Sequence, residues 1–219
     1  MDVLLDLDGT LTDPAEGIVR CIRHALAAYG HPTPADAELT RFIGPPLLEG
    51  FAELVPEAGP EHHRALLERY RERFRRHGMF ENRLYDGVRG ALADLCDAGT
   101  RLHLATSKPL VYARRIVEHF DLGGFFESLH GSELDGVRSD KGELLAHLLE
   151  AQAIRTAGAA MVGDRRHDMI GARANGVRAI GVLWGYGTRE ELLAAGAEQL
   201  LDSVAQLPDI LGGDRPARA

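Results

Sequence analysis

The chain has 219 residues, 25 Lys plus Arg against 33 Asp plus Glu, and a formal net charge of −8 at pH 7. Hydrophobic content of 45% and charged content of 26% exclude a disordered or fibrous chain, and the acidic balance argues against nucleic acid as a partner, because polyphosphate binding rests on concentrated positive charge. The two cysteines, Cys21 and Cys96, make neither a metal spacing nor a disulfide framework, which points to a reducing, cytoplasmic setting.

In chain order, the first predicted element is a buried strand over Val3–Leu7. Ahead of it there is no basic segment, and an acid interrupts the apolar run, so the N-terminus does not read as a signal peptide. No apolar stretch approaches the roughly 18 residues of a membrane span. The second strand starts only near Arg101, far beyond the reach of one crossover helix. The stretch between must form a module of its own. Ile18, Ile22 and Leu26 repeat at helical spacing, as do Leu66, Tyr70 and Phe74. Six of the ten prolines lie between Pro32 and Pro60, cutting the middle into short helices and turns. The reading is a small all-helical domain at residues 14–84, hinged near Thr12–Asp13 and Asn82–Asp86, inserted into a core of residues 1–13 and 85–219. The insert holds ten basic and ten acidic residues, so the whole −8 belongs to the core. Its Arg-rich run Arg69–Arg76 is interleaved with acids and reads as the solvated face of an amphipathic helix.

After the insert, helical periods at Val88–Cys96, Val111–Phe120, Leu144–Ala151 and Met169–Ala174 alternate with apolar runs. Those runs are Leu102–Thr106, a weaker Ser128–His130, Ala159–Val162 and Ala179–Leu183. The alternation predicts an α/β core, a doubly wound, Rossmann-like parallel sheet. Asp86 and the Asp140–Glu143 pair are placed to cap helices, and Gly176 to end one.

In such a sheet, ligands sit beyond the carboxyl ends of the strands. The first strand ends in Asp6-Leu7-Asp8-Gly9-Thr10, where two acids at i and i+2 would project to one face at a cost that pairing or a metal must offset. The second ends in Thr106-Ser107-Lys108-Pro109, hydroxyls followed by a cation at an expected helix start. The fourth ends in Gly163-Asp164-Arg165-Arg166-His167-Asp168, with two acids four residues apart. Lys141 stands at a predicted helix start, where local propensity disfavours a cation. Carboxylates without His or Cys favour a hard cation, Mg²⁺ being the usual choice beside phosphate. Only two of the 25 basic residues are Lys, and both fall among these positions. A compact ammonium suits a crowded phosphate site better than a broad guanidinium.

The ordered set Asp-Leu-Asp-Gly-Thr, Thr106, Lys141 and Gly-Asp-Arg-Arg-His-Asp resembles the four motifs of the haloacid dehalogenase superfamily, and the insert resembles that family's helical cap of the first type. Phe42-Ile43-Gly44-Pro45-Pro46 and Gly181-Val182-Leu183-Trp184-Gly185-Tyr186-Gly187 are similar to the phosphoglycolate phosphatase and 5′-nucleotidase branch. The resemblance implies an Mg²⁺-dependent phosphomonoester hydrolase acting on a small phosphorylated metabolite as a monomer or homodimer. Phosphoglycolate phosphatase is the leading expectation, with a 5′-nucleotidase or a sugar phosphomutase as alternatives. In that scheme Asp6 is the nucleophile and Asp8 the acid and base. Thr106, Ser107, Lys141 and Gly9 bind phosphate. Asp6, Asp164, Asp168 and the Asp8 carbonyl hold the metal. Glu16, Arg20, Arg41 and Lys108 are candidates for substrate specificity.

Overall fold

Strands that are apolar on both faces need cover on both, and that is what the crossover helices of a parallel sheet provide. The structure, a computed structural model, describes residues 1–212. Six strands form one parallel sheet: β1 (Asp2–Leu5), β4 (Arg101–Pro109), β5 (Ser128–Ser132), β6 (Ala159–Gly163), β7 (Arg178–Val182) and β8 (Gln199–Leu201). Their spatial order is β5-β4-β1-β6-β7-β8. The chain winds outward from β1 through β4 to β5, returns, and winds the other way through β6, β7 and β8. With right-handed crossovers, this reversal puts the connecting helices on opposite faces and opens a crevice at the carboxyl ends of β1 and β6.

The helices of this unit are α5 (Val88–Asp97), α6 (Leu110–His119), α7 (Lys141–Ala151), α8 (Arg166–Ala174), α9 (Arg189–Ala194) and α10 (Leu207–Leu211). On one face, Leu4, Ala105, Met161 and Ala179 pack against Leu145, Leu148 and Leu149 of α7 and Met169 and Ala172 of α8. Asp140 caps α7 by accepting from the Glu143 amide at 3.0 Å, and α8 stops just ahead of Gly176.

Four details differ from expectation. Strand β1 ends at Leu5, so Asp6 and Asp8 follow the strand instead of alternating along it. Strand β4 continues to Pro109, so Thr106, Ser107 and Lys108 lie in its last turn of ladder and not at a helix start. Asp86 does not cap α5; Gly87, at φ 84°, stands at that position without a side-chain bond. The edge strand β8 carries no distinctive apolar run and was not foreseen.

The chain divides into two units, one of Met1–Thr12 with residues 84–212 and one of Asp13–Arg83. Short strands β2 (Thr12–Asp13) and β3 (Arg83–Leu84) pair where the chain passes from one to the other. The second unit contains α1 (Ala15–Ala28), α2 (Asp36–Leu39), α3 (Leu47–Leu54) and α4 (Pro60–Arg73), the last running into a π-helical turn at Phe74–Gly78. Ile18, Ile22, Leu26, Leu66, Tyr70 and Phe74, the residues with helical repeats, are all buried. Tyr70 stacks on Phe74 with centroids 5.4 Å apart. Among the arginines of the basic run, Arg69 pairs with Glu72 at 2.5 Å and Arg71 with Glu68 at 2.8 Å. Arg73 makes a two-point bond to Glu81, at 2.6 and 2.8 Å.

Candidate active site

The first acid extends the ladder by one bond. Asp6 N donates to Val162 O at 3.0 Å, which sets the residue at the mouth of the crevice between β1 and β6. The chain then turns tightly, with Leu11 and Thr12 amides both donating to Leu7 O at 2.9 Å. Gly9 closes the turn at φ 82°, and a Cβ there would stand 2.2 Å from Asp164 Oδ2. Only glycine meets both demands.

Asp6, Asp164 and Asp168 each turn one oxygen into a common point, the three atoms lying within 4.8 Å of one another. All three side chains are buried. Asp164 sits between β6 and α8, where the Tyr186 amide donates to its Oδ2 at 2.8 Å and Thr10 Oγ1 reaches its Oδ1 at 3.5 Å. Asp168, in the first turn of α8, accepts from the Arg165 amide at 3.1 Å. Lys141 opens α7 and is only 4% exposed. Its Nζ donates to Ala105 O at 2.9 Å and Asp6 Oδ1 at 3.0 Å, and lies 2.7 Å from Asp168 Oδ1.

Electrostatics in this pocket are short of positive charge. Burial, together with repulsion from Asp168 and Asp6, pushes the Asp164 carboxyl well above the usual carboxylate range. Burial raises Asp168 to about 6, against the pull of Lys141 and with the push of Asp6. Burial works against the Lys141 ammonium, but the carboxylates of Asp168 and Asp6 overcome it and hold its pKa above the ordinary value. Three buried carboxylates thus converge where one ammonium pairs with only two of them, Asp6 and Asp168, and the donor set is all oxygen. That is the chemistry of a site for a hard divalent cation.

Asp8 belongs to a neighbouring pair. Its Oδ2 lies 2.6 Å from Lys108 Nζ, with both side chains nearly sealed from solvent. Burial raises its pKa, and Lys108 opposes the rise. Its Oδ1 is buried without a hydrogen-bond partner among the described residues. The two acids of the first motif therefore engage different lysines. Thr106 is buried, its Oγ1 accepting from Lys108 N at 3.3 Å, and Ser107 O accepts from Ser132 Oγ at 2.8 Å.

The candidate specificity residues of the helical unit are engaged within it. Arg20 pairs with Glu16 at 2.5 Å and Glu81 at 2.9 Å. Arg41 pairs with Glu53 at 2.7 Å and lies over the Phe42 ring, while Phe42 and Ile43 are buried. Thr10, Tyr186 and Trp184 lie in stretches that carry the family resemblance but had no site role assigned; Trp184 Nε1 donates to Thr10 O at 2.9 Å and ties the loop after β7 to the first motif.

The model for haloacid dehalogenase-like hydrolases matches residues 3–182. A 5′-nucleotidase of Pseudomonas aeruginosa is 45% identical over 212 residues, 96% of this chain and 95% of that protein. The tyrosine-protein kinase PtkA of Mycobacterium tuberculosis is 43% identical over 190 residues, which are 84% of this chain but 62% of that protein. A phosphoglycolate phosphatase of Yersinia pestis is 29% identical over 218 residues, 96% of this chain and 92% of that protein. Among solved structures, a predicted phosphatase from Clostridium acetobutylicum superposes with a TM-score of 0.91 at 40% identity, covering 96% of this chain and 97% of that one. No helix among the described residues is long and apolar enough to cross a membrane.

Proposed function

The chain belongs to the haloacid dehalogenase-like hydrolases and is a phosphatase of that family, and from that premise we propose that it hydrolyses phosphomonoesters through an aspartyl-phosphate on Asp6. The observation that carries the proposal is the buried Lys141, which pairs with Asp6 and Asp168, two of three carboxylates that converge at a strand-end crevice.

Asp6, Asp164, Asp168 and the Asp8 carbonyl would hold Mg²⁺, which when bound neutralises phosphate charge. The remaining chemistry falls to the chain. Asp6 attacks phosphorus and the ester P–O bond breaks, while Asp8 gives its proton to the departing alkoxide. Water then attacks the aspartyl-phosphate and passes a proton to Asp8, inorganic phosphate leaves, and both carboxyl groups return to their starting states. Lys141 holds Asp6 and offsets the charge gathering on the phosphoryl oxygens, and Thr106, Ser107 and Gly9 supply hydrogen bonds to them. Asp8 also separates this chemistry from dehalogenation, whose halide leaving group needs no proton.

The 45% identity to a 5′-nucleotidase over nearly the whole chain favours nucleoside monophosphates as substrates. Phosphoglycolate is the second reading, supported by the 29% identity to a phosphoglycolate phosphatase. The test is phosphate release, with Mg²⁺ and with chelator, from nucleoside monophosphates, phosphoglycolate and sugar phosphates, ranked by kcat/KM. Turnover that needs Mg²⁺ and vanishes in folded Asp6→Asn is expected. No turnover on any phosphomonoester overturns the proposal, and so does transfer from ATP to a tyrosine peptide in place of hydrolysis.

A further inference from the structure

Lys108 is a buried cation that the phosphate chemistry above does not use. We infer that it is a positioning residue for Asp8, holding the carboxyl group that serves the leaving group. The inference rests on the reading of Asp8 as acid and base.

The pairing is close and enclosed: Nζ to Oδ2 is 2.6 Å, with the two side chains 8% and 10% exposed. Burying such a pair carries a desolvation cost that bulk stability does not require. The backbone around Lys108 is shaped to aim it. The register of β4 against β5 shifts between Thr106 and Pro109, a local irregularity of the kind that redirects side chains beside active sites. Lys108 N is held by Thr106 Oγ1, and the preceding carbonyl by Ser132 Oγ. Across the gap stands Gly131, where a Cβ would lie 2.7 Å from Lys108 O; the neighbouring strand has no side chain there to displace the lysine backbone.

Asp8 is fixed from the other direction, by the turn in which Gly9 N donates to Thr12 O at 2.7 Å. With Oδ2 engaged by the ammonium, the buried Oδ1 is the oxygen left to exchange a proton with the departing alcohol. Lys108 therefore acts on the leaving-group side, while Lys141 acts on the phosphoryl side. Its loss must be felt in proportion to how badly the leaving group needs a proton.

The experiment compares kcat/KM, which covers only the steps up to departure of the alcohol, for propyl phosphate and 4-nitrophenyl phosphate in wild type, Asp8→Asn and Lys108→Met. Propoxide needs protonation; nitrophenolate does not. The ratio of alkyl to aryl kcat/KM is expected to fall by at least ~10-fold in Asp8→Asn and in Lys108→Met. Should Lys108→Met fail to fold in a thermal melt, Lys108→Gln carries the same measurement. A fall in Asp8→Asn with an unchanged ratio in the lysine variant overturns the inference and leaves the reading of Asp8 standing. An unchanged ratio in Asp8→Asn overturns that reading, and the inference falls with it.

Discussion

Lys141 Nζ lies 2.7 Å from Asp168 Oδ1, and the two side chains are 3% and 2% exposed. A pair so enclosed leaves a bare buried charge when one member is removed. Lys141→Met is expected to cost about 3–5 kcal/mol of stability in urea unfolding. Lys141→Arg keeps the charge but cannot fit three oxygen partners around a point ammonium, so its kcat should also fall by at least ~100-fold. Wild-type kcat in Lys141→Arg would refute the crowding argument.

Asp164 offers the reverse case. Its carboxyl is buried against two other acids, so Asp164→Asn relieves repulsion. Melted in chelator, the variant is expected to be at least as stable as wild type. With Mg²⁺ the order reverses, because a ligand that binds the fold raises stability only where its site is intact. The check is the Mg²⁺-induced rise in Tm, present in wild type and lost in Asp164→Asn together with activity.

A pH effect should come from the far end of the sheet. Burial, with His147 and His103 nearby, lowers His130 from 6.5 to about 4. Between those values the unfolded chain binds the proton and the fold does not, so stability is present above pH 6.5 and lost as the pH falls towards 4. Because the imidazole is only half buried, solvent screening keeps the loss well below the ~3 kcal/mol that the full shift would carry. Urea unfolding at pH 7.5, 6 and 5 should show a shallower pH slope in His130→Gln than in wild type; equal slopes would remove His130 as the cause.

In the helical unit, hydrogen bonding from Arg73 holds the Glu81 carboxyl below its ordinary range. Arg73→Met removes both bonds and is expected to cost about 1.5–3 kcal/mol. Hydrogen exchange read on α4 and the π-helical turn should accelerate accordingly. Unchanged exchange there would mean that the pair contributes nothing.

Much of this was legible in the chain. The alternation of apolar runs and helical periods specified the parallel sheet because buried strands and amphipathic helices leave unlike patterns. Asp6 and Lys141 were legible because an acid closing an apolar run and a cation at a helix start have no local reason to be there. Asp164 and Asp168 suit a helix start by themselves and were legible only in company with the other motifs. What local pattern could not convey was pairing. Asp6 and Asp8, two residues apart, were expected to share a face, yet β1 stops at Leu5 and the turn sends them to different lysines. The path of Lys108 depends on a register shift between two strands, and such a shift leaves no trace in the periodicity of either one. Tyr186 contributes a main-chain amide, which any residue could supply.

The central place of β1 bears on how the molecule is made. Asp2–Leu5 pairs with Arg101–Leu104 on one side and with Ala159–Val162 on the other. Strand β1 is therefore made well before β4 and longer still before β6, and its apolar edges wait unpaired through those intervals. Contacts of such sequence separation make for slow folding. Because Lys141 and Asp164 lie beyond β4 in sequence, a nascent chain that has reached only β4 holds Asp6 without the groups that converge on it, and the acidic cluster is complete only when β6 has joined β1.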